Sequence, residues 1–235
     1  YALECDGRRT TSYLAGGKFA HIGEIVDPES TALRSEVQGH LDRAETRLGE
    51  LQRNGGGVRY GIATRPSYSL AGGGSVRVRI GQATLTANQY STWLIDPTRL
   101  LPVLRRELES KSVHFVARTF DSERDVYALD EPVIVNCTGM GAREVFGDQQ
   151  LVGRRGHLVR LQNPGKLDYM LNSWCGDAPI RYLFARHDDI VIGGSLQNPN
   201  GRDGFDAADS GDAAICERLL RNARALTETG GSRCS

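Results

Sequence analysis

Val133-Ile134-Val135-Asn136-Cys137-Thr138-Gly139-Met140-Gly141-Ala142-Arg143 is an apolar run that ends abruptly in a turn. Four of its first five residues are apolar or β-branched, without alternation, which predicts a short strand buried on both faces. Thr138 and Gly139 then stand at the carboxyl end of that strand, where open α/β sheets bind ligands. A glycine at such a place lets a ligand approach the backbone closely. The composition of the segment points to a cleft and no further.

Working outward, Pro28 to Leu51 predicts a helix, because Leu33, Val37, Leu41, Ala44, Leu48 and Leu51 recur at spacings of three and four. Asn54-Gly55-Gly56-Gly57 is the signal that ends it. Val76-Arg77-Val78-Arg79-Ile80 alternates at period two and predicts a half-exposed antiparallel strand. Asp96 and Pro97 open a further helix as its cap and first residue, with Leu100, Leu101, Leu104 and Leu108 as its expected buried face. Val113 to Thr119, His157 to Leu161, Arg181 to Ala185 and Ile190 to Ile192 read as strands, and Asp212 to Leu226 as a last helix. Strands that alternate with helices stand beside strands that follow one another directly. The expected fold class is therefore α/β, with a parallel nucleotide-type sheet combined with an antiparallel substrate sheet.

Charge narrows the functional classes. The 235 residues carry 29 basic and 29 acidic side chains, so no basic excess argues for nucleic acid. No apolar run approaches the ~18 residues of a membrane helix. Tyr1-Ala2-Leu3-Glu4 has neither the basic nor the apolar segment of a signal peptide. Five scattered cysteines with no C-x-x-C spacing argue against a disulfide framework and against a zinc site, and suggest a cytoplasmic protein. The five histidines show no ligand spacing, so no metal is expected.

Two segments hold candidate cofactor chemistry. Glu4 ends an opening strand, where a dinucleotide fold places the carboxylate that holds a ribose; by position alone an ordinary exposed carboxylate is the commoner reading. Arg9-Thr10-Thr11-Ser12-Tyr13-Leu14-Ala15-Gly16-Gly17-Lys18-Phe19 can present hydroxyl and backbone donors to a phosphate, or can form a hydroxyl-rich turn.

These segments, with Trp93-Leu94-Ile95-Asp96-Pro97, Arg155-Gly156-His157, Arg181-Tyr182-Leu183-Phe184 and Ile190-Val191-Ile192-Gly193-Gly194-Ser195, resemble the FAD-dependent D-amino-acid oxidase family, in the family's order. The wording Val-Asn-Cys-Thr-Gly-x-Gly-Ala-Arg carries most of the resemblance. The resemblance implies that Glu4 binds the adenosine ribose and that Thr11 and Ser12 meet the pyrophosphate. It implies that Gly16 and Gly17 pass the flavin, that the backbone of Phe120 contacts the adenine side, and that Thr138 and Gly139 lie along the FAD. Tyr182 matches the tyrosine whose hydroxyl bonds the substrate carboxylate; by residue type alone it is a strand tyrosine with its hydroxyl outward.

The implied fold is an incomplete Rossmann-type FAD-binding sheet plus an antiparallel substrate domain. The FAD-binding parts fall near 1–56 and 112–150, the substrate parts near 57–111 and 151–210, and helix 212–226 returns to the FAD-binding part. The implied reaction is a hydride transfer from a D-amino acid to FAD, with dioxygen reoxidising the flavin, and a homodimer is compatible with it. The family's glycine fingerprint and its substrate-clamping arginine have no counterpart here, Ala178 stands where the animal enzymes have a second tyrosine, and His157 replaces a glutamine. These departures imply a family unit lacking both ends. A glycine or sarcosine oxidase and a non-catalytic remnant are the alternative readings.

Overall fold

Alternation at period two builds the sheet at the centre of this chain. The computed structural model describes residues 10–22, 26, 29–70, 74–153, 155–164, 167–172, 182–197 and 211–229. In chain order the described elements are helix α1 (Thr11–Leu14), helix α2 (Thr31–Leu51), a π turn (Gln52–Gly56), helix α3 (Gly57–Tyr60), strands β1 (Ile62–Ser69), β2 (Val76–Ile80) and β3 (Ala83–Ile95), helices α4 (Pro97–Ser110), α5 (Glu123–Tyr127) and α6 (Gly141–Val145), strands β4 (Arg155–Gln162), β5 (Met170–Asn172), β6 (Tyr182–Ala185) and β7 (Asp189–Gln197), and helix α7 (Gly211–Thr229). The strands form a seven-stranded sheet in the order β2-β3-β1-β5-β6-β7-β4. Each described neighbour pair is antiparallel except β1 and β5, which run parallel. The fold is mixed α/β, as expected.

One face of this sheet carries the larger core. Leu219, Ala223 and Leu226 of α7 recur at spacings of four and three, and pack on Ile80, Leu171, Leu183 and Ile192. Each fully buried aliphatic side chain there contributes about 1.5–3 kcal/mol. The amide of Gln82, in the β2–β3 turn, donates to the Thr227 carbonyl at 2.8 Å and fixes where α7 ends. The opposite face carries a smaller cluster of Leu94, Met170 and Phe184, with Tyr182 against it. No helix among the described residues is long and apolar enough to cross a membrane.

Several expectations need correction. The Val133–Cys137 run forms no strand ladder, and Val133 and Val135 are each 77% exposed. Val113 to Thr119 likewise forms no ladder. A continuous apolar run reports what a strand would bury; the ladder itself needs a neighbouring strand to pair with, and neither run has one among the described residues. The α2 stripe is helical but open, with Leu48 its one buried member and Leu33 half exposed. The glycine run does end α2 at Leu51: Asn54 and Gly55 leave helical backbone, Gly55 at φ +74°, and a separate short helix, α3, follows. In α4 the Asp96 carboxylate does accept from the Thr98 amide, at 3.0 Å. Its buried residues are Pro97 and Val103, Leu100 and Leu101 are half-buried, and Leu104 and Leu108 are exposed, because the helix packs mainly on the short helices α1 and α3, which cannot cover its full length.

Candidate functional site

Strand β6 sends alternate side chains to opposite faces. Leu183 joins the α7 core, while Tyr182 and Phe184 face the other way, their rings stacked 4.5 Å apart at 12°. Arg186, the next residue in that alternation, is fully buried. These three side chains meet one backbone segment, Ala15-Gly16-Gly17.

The approach is close because the segment carries glycine. A Cβ on Gly16 would lie 3.0 Å from Phe184 Cδ2 and 3.6 Å from Tyr182 Cε2. Gly17 takes φ +89°, and a Cβ there would lie 2.0 Å from the Ile95 carbonyl oxygen. The segment is bonded to β3: Ile95 N–H donates to Gly17 O at 2.7 Å and Phe19 N–H to Trp93 O at 2.9 Å. On its other side Arg186 Nη1 donates to Ala15 O at 3.0 Å. Two elements distant in sequence thus hold the two-glycine segment over the Tyr182–Phe184 pair.

Tyr182 lies flat for a second reason. Its cross-strand partner is Gly193, and a Cβ there would sit 2.3 Å from both Cζ and the phenol oxygen. Gly193→Ala is therefore expected to push the ring out of its site and to cost about 1–3 kcal/mol by overpacking, read as a lowered urea midpoint. Burial pushes the Tyr182 phenol above its ordinary pKa, so the hydroxyl stays neutral and able to donate at physiological pH. On the other flank of Tyr182, across β5, stands the buried Asn172, whose Nδ2 donates to Ser67 Oγ at 2.7 Å and to the Tyr90 hydroxyl at 3.2 Å.

A third group of charges lies at the end of β6. Asp189 takes both forks of Arg186 at 2.5 Å, and Arg160 Nε donates to it at 2.6 Å. Burial alone would raise the Asp189 carboxyl; the hydrogen bonds and charges of Arg186 and Arg160 outweigh it and hold the group below the usual carboxylate range.

The residues singled out in the sequence fall into separate places. Gly16, Gly17 and Tyr182 come together. Thr11 and Ser12 sit exposed in the single turn of α1, where the Thr10 hydroxyl accepts from Tyr13 N–H at 3.1 Å; that segment is a capped helical turn leading into the two-glycine strap. Phe120 is half-buried with the Arg118 guanidinium 5.2 Å from its ring centre. Thr138 gives its amide and hydroxyl to Asn136 Oδ1, at 3.0 and 2.7 Å, which shapes the turn. Gly139 takes φ +58° with no atom within 4 Å of where a side chain would begin. Glu4 lies outside the described residues. Arg186, Gly193 and Asn172 were not anticipated. The signal for Arg186 was its place two and four residues beyond Phe184 and Tyr182.

Residues 32–231 match the DAO family of FAD-dependent oxidoreductases. The chain belongs to that family. A D-amino-acid oxidase of Streptomyces coelicolor (strain ATCC BAA-471 / A3(2) / M145) is 28% identical over 198 residues, which cover 80% of this chain and 59% of that protein. A D-amino-acid oxidase of Rubrobacter xylanophilus (strain DSM 9941 / JCM 11954 / NBRC 16129 / PRD-1) is 33% identical over 108 residues, 44% of this chain and 31% of that protein. One from Dictyostelium discoideum is 32% identical over 81 residues, 32% of this chain and 22% of that protein. The chain thus spans less than two thirds of the length of the curated relatives it matches.

The DAO family is FAD dependent, and the residues present fit that group. The open left-handed turn at Gly139 leaves bare backbone for a close approach, and exposed Val133, Val135 and Met140 beside it offer apolar surface to a planar ring.

Proposed function

We propose that this chain carries the flavin- and substrate-facing portion of an enzyme that converts D-amino acids, dioxygen and water to 2-oxo acids, ammonia and hydrogen peroxide. The observation that carries this reading is Tyr182, half-buried on β6 between the Gly16 backbone and the bare face of Gly193. The chemistry that bound FAD would supply here is two-electron oxidation at the substrate Cα, with dioxygen as the final acceptor.

The protein's own residues orient and enclose. The neutral Tyr182 hydroxyl donates a hydrogen bond to the substrate carboxylate without adding a charge. Phe184, stacked beneath the Tyr182 ring, fixes its plane. Gly16 and Gly17 would pass the flavin, Thr11 and Ser12 the pyrophosphate, Glu4 the ribose, and Phe120 the adenine side. Thr138 and Gly139 would lie along the FAD through the open turn.

Tyr182→Phe keeps the ring and removes the hydroxyl. It is expected to leave FAD retention unchanged and to raise KM for D-alanine roughly tenfold to hundredfold, from the ~1.5–3 kcal/mol of a hydrogen bond to a charged group. The visible spectrum after FAD addition and a peroxide assay with D-alanine and D-proline check this. A chain that retains no flavin and yields no peroxide sinks the reading, and turnover of sarcosine or glycine alone would move it to another amine oxidase.

A further inference from the structure

We propose that Arg186 is a positioning residue for the flavin-facing wall, setting the height of the Ala15-Gly16-Gly17 backbone above the Tyr182–Phe184 pair; this rests on the reading of that segment and Tyr182 as flavin- and substrate-facing. Its guanidinium divides its donors between two tasks. Nε and Nη2 bind the two oxygens of Asp189, which neutralises a charge buried with no exposed surface. Nη1 donates to the Ala15 carbonyl, 171 residues away in sequence. The same nitrogen stands 3.8 Å from Asp96 Oδ1, in the carboxylate that caps α4.

The geometry makes this tether decisive for the segment. Gly17 and Phe19 are bonded to the end of β3, so their height is set by that strand's edge. Among the described residues β3 makes no backbone hydrogen bond to Ala15, which is exposed and has just left the single turn of α1. Arg186 is the group on the β6 side that draws its carbonyl down, and Gly16 consequently meets Phe184 at 3.0 Å from where a Cβ would be. A planar ligand stacked on this segment would find its wall raised or lowered by one hydrogen bond. Arginine suits the role because a lysine cannot serve both oxygens of Asp189 and a carbonyl at once.

Arg186→Lys retains the buried charge and loses the fork. The double variant Arg186→Gln with Asp189→Asn removes the bidentate pair as a unit with the net charge unchanged, and Asp96, 3.8 Å from Arg186, keeps its two hydrogen bonds from Thr98. Hydrogen exchange of the Phe19 and Ile95 amides, the donors that close the segment on β3, is measured without flavin, alongside amides of β4 and α7 as a report on the whole fold. FAD affinity is measured separately by titration of flavin fluorescence.

The expected result is exchange at Phe19 at least tenfold faster in both variants, with β4 and α7 protected as before, and an FAD dissociation constant raised at least tenfold. In a Gly17→Ala background, where the segment is already displaced, Arg186→Lys should add less than threefold, because both act on the same backbone. Wild-type exchange at Phe19 in the charge-balanced variant, or a full additional effect in the Gly17→Ala background, overturns the proposal. Wild-type FAD affinity in both variants overturns it as well. A wild-type chain that binds no FAD sinks the oxidase reading instead, while exchange at Phe19 still decides what Arg186 holds.

Discussion

Asp189→Ala is expected to destabilise the chain by about 3–5 kcal/mol, because it strips a buried guanidinium of its counter-ion. Arg186 has no exposed side-chain surface and Asp189 has 13%, so water cannot replace the lost carboxylate. The Ala15 carbonyl would remain as a neutral partner, and Asp96 Oδ1 stands 3.8 Å away, too far to substitute for a bidentate pair. The change also frees Arg160, but that side chain is 40% exposed and its share is small. Urea unfolding reads the effect as a lowered midpoint. The control is Asp188→Asn: Asp188 pairs with Arg99 at 3.0 Å but is 66% exposed, so its loss should cost only about 0–1 kcal/mol.

The same pair predicts a pH dependence with a definite sign. The Asp189 carboxyl is held below its ordinary pKa in the folded chain. Its stabilisation is complete above the unfolded value of about 3.9 and is lost as pH falls through the lower folded value. The midpoint gap between wild type and Asp189→Ala should therefore be widest near neutrality and narrow on acidification below about pH 4. A gap that stays constant down to pH 2.5 would show that the buried pair is not what the substitution removes.

Gly17→Ala is the second large effect, and it acts locally. Gly17 sits at φ +89°, a conformation that costs a side chain-bearing residue about 1–3 kcal/mol. The added Cβ would also lie 2.0 Å from the Ile95 carbonyl oxygen, a backbone atom that cannot swing aside. The segment must lift, which breaks the 2.7 Å bond from Ile95 N–H and the 2.9 Å bond from Phe19 N–H, each worth about 1 kcal/mol. The segment is a strap over the sheet and no part of the α7 core, so it should detach while the sheet persists. Hydrogen exchange should show Phe19 and Ile95 losing protection, with Leu171 and Ile192 retaining theirs. Unchanged protection at Phe19 would contradict the close packing of Gly17 on β3.

Much of the antiparallel sheet was legible because each strand announces its own half-burial. Val76 to Ile80 alternates so strictly that β2 needs no tertiary information. Strands β4, β6 and β7 and helix α7 followed from their apolar patterns, and the α4 start from the Asp96–Pro97 pair. Strands β1, β3 and β5 were missed. Pro66 sits within β1 and β5 is only three residues long, so neither carries a readable period, while in β3 the alternation of Ala83 to Asn88 rests on small and hydroxyl residues and is broken by the polar run Asn88 to Thr92. Their strand state comes from neighbours: β1 is held between β3 and β5, and β5 between β1 and β6.

The candidate site divides along the same line. Gly16, Gly17 and Tyr182 could be named from their wording in the chain, but the contact of Gly16 with Tyr182 and Phe184 exists only because β3 and β6 lie in one sheet. Arg186 is marked locally only by its place in the Tyr182–Phe184 alternation; its meaning comes from a carbonyl 171 residues earlier and from burial that forbids an unpaired charge. Gly193 reads as a weak strand residue until the Tyr182 ring is seen lying across it.

The run from Val133 to Arg143 shows the division most sharply. Its residue order points to the family that the match over residues 32–231 shows, and it favours the glycine turn at 139, because wording and φ preference are local properties. Its burial is a property of neighbours: an apolar strand is covered only where other strands and helices lie against it, and among the described residues Val133 and Val135 stand open. Local sequence chooses backbone states one residue at a time; packing decides which of those residues meet, and at this site packing alone joins the two-glycine strap, the tyrosine and the buried arginine.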